Sequence, residues 1–242
     1  MTKRTDITAI VQARMGSTRL PGKVLKKLGN VSLIEFLLQR LRRSNNIQKI
    51  IVAIPDLAKD DSLEQHLKEL GYDIYRGNEM DVLSRYFHAA TEFKAKNIVR
   101  VTGDCPLIDP GIVDLVIRKF RESSDDYTSN VCPPTFPDGL DVEVFTFSAL
   151  EKAHFEVVEK TQREHVTSYF RQGNLFKKTN VTAEQDWSSI KISVDTEADF
   201  NKIVRLCKYF GPRADFNWTD IKAYLLQHHD GSDVNIVKGN NG

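Results

Sequence analysis

Between Ile7 and Ile34 the chain carries no aspartate or glutamate, but it carries five lysines or arginines. Elsewhere the signs are mixed, with 34 basic against 33 acidic residues overall. An acid-free window in such a chain marks a place where negative charge is held. The window opens inside an apolar strand, residues 6–12, and breaks at Gly16. It then carries Arg14, Arg19 and Lys23 past Ser17-Thr18 and a Pro21-Gly22 turn, on what reads as an exposed loop, before a helix begins. α/β chains hold phosphates on such strand–loop–helix stretches, because backbone N–H groups and cationic side chains converge at the carboxyl end of the strand. The Walker loop is excluded. Five residues separate Gly16 from Gly22, one more than that pattern allows, and Val24 stands where it needs Ser or Thr.

The apolar pattern beyond this loop alternates between strand and helix. Helices are predicted over 32–43, with Ser32 as N-cap, and over 60–70, 80–93 and 110–121. Strands are predicted over 49–54, 72–75 and 97–102. That rhythm implies a mainly parallel sheet covered by helices. Beyond Ser123 it changes. Pro133, Pro134 and Pro137 make 131–139 a loop, and 141–147 alternates as a partly exposed strand does. Helices over 148–155, 162–170, 196–209 and 217–227 and a strand over 190–194 complete the reading. The chain reads as a single domain, 1–242, with a small inserted lobe near 130–180 and a mobile polar tail at 229–242.

A net charge of +1 gives no footprint for nucleic acid. Three cysteines, Cys105, Cys132 and Cys207, lie far apart and form neither a disulfide framework nor a zinc motif. No stretch approaches the ~20 apolar residues of a membrane span, and residues 7–11 are too short for a signal-peptide core. These features point to a cytoplasmic protein.

Two further stretches end a predicted strand in aspartate and then start a helix. One is Thr102-Gly103-Asp104-Cys105-Pro106, and the other is Ser193-Val194-Asp195-Thr196-Glu197. Ligands of open parallel sheets collect outside the carboxyl ends of strands. A carboxylate there beside a polyphosphate is a natural magnesium ligand. For Asp195 a second reading stays open, since Asp195 or Thr196 would also cap the helix that follows.

Arg14-Met-Gly-Ser-Thr-Arg-Leu-Pro-Gly-Lys23 resembles the signature loop of the CMP-sugar synthetases, the cytidylyltransferases that activate KDO and nonulosonic acids. The resemblance is nearest to the branch named for spore-coat polysaccharide biosynthesis protein F. It implies a three-layer Rossmann-like nucleotide-diphospho-sugar transferase fold, with a mixed, mainly parallel sheet and a small dimerisation lobe. It implies transfer of CMP from CTP to an acidic sugar, with release of pyrophosphate, for cell-surface polysaccharide biosynthesis by a homodimer. Carried over residue by residue, it assigns Arg14, Ser17, Thr18, Arg19 and Lys23 to the triphosphate, with Arg14, Lys23 and Asp104 catalytic. Asp104 and Asp195 become the Mg2+ ligands. The stretch from Tyr75 to Arg85 corresponds to the base and ribose region, with Arg76 and Asp81 as candidates. Asp138, Asp141, Glu143, Glu164 and His165 become candidates for the acceptor, beside the plainer reading of Glu164 and His165 as a locally paired helix face. Other readings stay open: a nucleotidyltransferase using another NTP or a sugar phosphate, a nucleotide-sugar glycosyltransferase, and a non-catalytic nucleotide-binding subunit.

Overall fold

Every residue of the first strand, β1 (Ile7–Gln12), is buried except Gln12, as befits a strand covered on both faces. The computed structural model describes residues 6–211 and 215–228, so the tail predicted at 229–242 lies outside them. After β1 the basic loop leads to a small hairpin, β2 (Lys27–Leu28) and β3 (Val31–Ser32), and to α1 (Leu33–Leu41). Ser32 and Glu35 form a capping box at the start of α1, each satisfying a backbone N–H that the helix leaves unpaired. β4 (Lys49–Pro55), α2 (Asp61–Glu69), β5 (Asp73–Gly77), α3 (Val82–Glu92), β6 (Asn97–Thr102) and α4 (Pro110–Ser123) follow in alternation.

The second half supplies β7 (Tyr127–Ser129), β8 (Glu143–Thr146), α5 (Phe147–Glu156), α6 (Lys160–His165), α7 (Ser168–Arg171), β9 (Lys178–Asn180), α8 (Glu197–Phe210) and α9 (Trp218–Gln227). The main sheet has seven strands in the order β5-β4-β1-β6-β8-β7-β9. β8 runs antiparallel to both of its neighbours, and every other pairing in that sheet is parallel. The segment predicted as a small lobe therefore adds β8 and β9 to the central sheet. One apolar core joins α1, α2, α4, α8 and α9 to one face. A second joins α3, α5 and α7 to the other. The result is a three-layer α/β fold.

Two predicted elements are different in the structure. Residues 190–194 form no strand; Lys191 makes an isolated bridge to Asp138. The helix predicted over 162–170 is two helices, α6 and α7, broken at Val166, whose φ is 54° and ψ is −61°. Thr167 N–H donates to the His165 carbonyl at 2.5 Å, which makes Val166 the centre of a tight γ-turn. That conformation is strained for a β-branched residue. Val166 is fully buried in the core that α3, α5 and α7 share.

Candidate active site

The loop after β1 is held from beneath. Asp60 has no exposed surface, and its Oδ1 accepts the Met15 N–H at 2.7 Å. The Met15 carbonyl then accepts from Ser17 N–H at 3.0 Å and Gly22 N–H at 2.9 Å. Gly22 sits at φ 69°, a conformation that costs glycine little. The turn sends Lys23 inward into a single 3-10 turn. Lys23 is only 8% exposed, so the reading of it as an exposed loop residue is corrected: the left-handed Gly22 buries it.

The Lys23 ammonium lies 3.3 Å from Asp104 Oδ2, 3.3 Å from Asp195 Oδ1 and 2.5 Å from the Val194 carbonyl. Two carboxylates 91 residues apart in sequence thus meet at one cation. Their meeting does not come from two strand ends on one sheet edge, since 190–194 is not a strand. It comes from a direct backbone link, Val194 N–H to the Asp104 carbonyl at 2.8 Å. Gly103 makes the approach possible on the other side, because a Cβ there would stand 2.8 Å from the Gln12 carbonyl oxygen.

The helix cap after Asp195 is Thr196, paired with Asp199 in a capping box. Asp199 also accepts the Asp195 N–H at 3.0 Å. This leaves the Asp195 carboxylate for cations: Lys23, Lys191 at 3.0 Å and Arg19 at 3.0 Å. Burial opposes the charge, but Lys191 and Lys23 hold its carboxyl below the usual range. The donor set suits a hard cation. Two carboxylates and a carbonyl surround one cationic centre, and magnesium takes such oxygen ligands. Among the described residues no group of three or more His, Cys, Asp or Glu side chains is placed to hold a metal ion, so water and phosphate oxygens would complete its shell.

Arg14, Ser17, Thr18, Arg19, Lys23, Asp104 and Asp195 all line one cleft of about 400 Å³. Its lining holds five lysines or arginines against three carboxylates, an excess that favours an anion. Glu164 and His165 line it too. The other predicted residues do not. Arg76 is engaged by Asp56 at 3.1 Å, by Asp61 at 2.8 Å and by Glu64. Asp81 caps α3 and pairs with Arg163 Nε at 2.8 Å. In their stead α3 presents Val82 and Arg85 to the cleft, three apart and so on one helix face. Asp138 accepts the Ser193 hydroxyl at 2.8 Å. Asp141 is half-buried, and Glu143 is buried in an ion cluster. Sequence reasoning missed Gln12 and Arg100, which line the cleft from β1 and β6. An arginine between Val99 and Val101 in an apolar strand was the available signal for the second.

An excess of cations and a pair of acids thus line one cleft of about 400 Å³. Holding a triphosphate and placing charge at the reacting phosphorus are the two needs of a nucleotidyltransferase, and that is the class of this enzyme. The chain belongs to the cytidylyltransferase family, whose model, described as Cytidylyltransferase, matches residues 8–216. It is 34% identical to the spore coat polysaccharide biosynthesis protein SpsF of Bacillus subtilis (strain 168) over 233 residues, 93% of this chain and 96% of that one. It is 31% identical to a 3-deoxy-manno-octulosonate cytidylyltransferase of Geobacter sulfurreducens over 121 residues, 49% of this chain and 46% of that one. Among solved structures, a cytidylyltransferase from Leptospira borgpetersenii superposes with a TM-score of 0.88 at 32% identity, covering 93% of this chain and 95% of that one.

Proposed function

We propose that this enzyme transfers CMP from CTP to an acidic sugar of the KDO or nonulosonic class and releases pyrophosphate. The observation that carries the reading is the convergence of the basic loop with Asp104 and Asp195 in one cleft. Family membership and the two relatives named for polysaccharide and 3-deoxy-manno-octulosonate chemistry support the choice of substrates. A sugar hydroxyl attacks the α-phosphorus. The new P–O bond forms as the bond to the β-phosphate oxygen breaks, and pyrophosphate leaves with that electron pair. Arg14, Arg19 and Lys23 bind the β- and γ-phosphates and stabilise the charge that develops on the leaving group. Ser17 and Thr18 offer hydrogen bonds on the same loop. Asp104 and Asp195 would hold Mg2+, which when bound supplies charge neutralisation at the phosphates. Glu164 and His165 are the cleft groups able to take the hydroxyl proton.

Cytosine fits two orphaned atoms at the cleft. Gln12 Oε1 and Arg85 Nε are buried and make no hydrogen bond. The first would accept from the 4-amino group, and the second would donate to the ring carbonyl. We further read the protein as a cytoplasmic homodimer, as the family resemblance implies; among the described residues no helix is long and apolar enough to cross a membrane.

Pyrophosphate release should be measured from CTP, UTP, ATP and GTP, each with KDO and N-acetylneuraminic acid. CTP is expected to exceed the purine nucleotides by about 100-fold or more in kcat/KM, because buried polar groups left unpaired discriminate strongly. Equal use of ATP and CTP would overturn the reading.

A further inference from the structure

Arg100 is the one charged residue of β6. Pairing with β8 sets it opposite Glu143, and its Nη1 donates to Glu143 Oε2. The other carboxylate oxygen of Glu143 accepts Arg171 Nη2 at 2.7 Å and the Tyr127 hydroxyl at 2.6 Å. Glu143 is only 2% exposed. Burial alone would raise its carboxyl, but Arg100 and Arg171 hold it at about 2. One buried carboxylate therefore meets two guanidinium groups.

Asp141 is also in electrostatic reach of both arginines. Burial pushes its carboxyl up to about 7, with Asp138 and Glu143 adding to the rise. It does not supply a full second negative charge at neutral pH. Two guanidinium groups thus share one fully charged carboxylate. Arg171 reaches solvent, with 35% of its side chain exposed, whereas Arg100 is 14% exposed, and an anion beside it would balance its charge.

That charge opens onto the cleft, because Arg100 lines it. Glu143 uses only Nη1 of the guanidinium. Nε is buried without a partner, and Nη2 makes no hydrogen bond to a described residue. Nε–H and Nη2–H form the side edge of the arginine fork, the edge that takes a carboxylate through two parallel hydrogen bonds. Arg100 and Thr102 lie on one face of β6, and Asp104 follows two residues later. In a 2-keto acid sugar the carboxylate and the anomeric hydroxyl share one carbon. Fixing the first orients the second.

The geometry points to Arg100, backed by Glu143 and Arg171, as the subsite that binds the carboxylate of the acceptor sugar. The assignment rests on the acidic-sugar reading above. It is tested with wild type, Arg100→Lys and Arg100→Gln, using KDO, N-acetylneuraminic acid and the methyl ester of each as acceptors. CTP affinity is measured separately by calorimetry. Arg100→Lys keeps the charge but loses the fork, and Arg100→Gln loses both. The KM for the acid is expected to rise about tenfold in the first and about 100-fold in the second. CTP affinity should stay within about twofold, and the ester, poor on wild type, should gain no further handicap.

Equal losses for acid and ester, or a fall in CTP affinity as large as that in acceptor affinity, would overturn the subsite and leave the acidic-sugar reading standing. A wild type that binds CTP but turns over neither acid would overturn both. Should Arg100→Gln not fold, Arg100→Lys carries the same comparison, since it keeps a cation for Glu143.

Discussion

Replacing Asp104 or Asp195 by asparagine is expected to lower turnover about 100- to 1,000-fold, the scale of losing one preorganised charge at a reacting centre. Asparagine keeps the shape of aspartate and removes its charge. The change therefore acts on what the carboxylate attracts and leaves the packing alone. In this protein the attracted group is visible as the Lys23 ammonium, 3.3 Å from each carboxylate. Loss of one acid should also raise the magnesium concentration that gives half-maximal rate. The proper measurement is single-turnover kinetics across a magnesium titration, with melting temperature followed in parallel. A residual rate within tenfold of wild type in both variants would remove the two acids from the chemistry.

Lys23→Ala is expected to do two things at once. It removes a contact to the triphosphate, lowering kcat/KM by about 10- to 100-fold. It also leaves Asp104 and Asp195 facing one another across the space the ammonium filled, at a cost on the order of 1–3 kcal/mol. The stability loss follows from the burial of Lys23, which a lysine on an open loop would not share. Millimolar magnesium should then raise the melting temperature of the variant more than that of wild type, because the position between the two acids is open to a cation even with Lys191 and Arg19 still on Asp195. Urea denaturation with and without magnesium reads this directly. Unchanged stability and unchanged CTP affinity together would sink the assignment.

How much of this was legible in sequence depends on the size of each signal. The strand over 97–102 was readable to the residue, and the charge of the basic loop was readable too, because continuous apolar runs and an acid-free window are long patterns; the burial of Lys23 was not, since it depends on the left-handed turn at Gly22. β7 and β9 have three residues each and β2 and β3 two, too few for any period to show. Residues 190–194 have the apolar content of a strand but follow the 130–142 loop instead of a ladder; pairing, not propensity, decides that. The break at Val166 has no local sign at all, since valine gives no hint of positive φ. Among site residues, Arg76 and Asp81 drew notice by sequence position, while Arg85 lay one helical turn further on. Asp138, Asp141 and Glu143 form an evident acidic run. Only the register with β6 reveals that Glu143 turns to Arg100 instead of lining the cleft.

The single reversed strand has a consequence for synthesis. β5, β4, β1 and β6 all come from the first 102 residues and can pair as soon as those residues are available. The free side of β6 is filled only by β8, whose pairing begins at Glu143. Until then Asn97 to Arg100 present unpaired backbone groups on a strand of high apolar content. Translation runs at about 5–20 residues per second, so this edge stays open for seconds on every nascent chain. An open edge of that kind is a template for pairing with another chain. Arg100, at the end of that edge, is the one charged residue on it, and it discourages such pairing until Glu143 arrives to neutralise it.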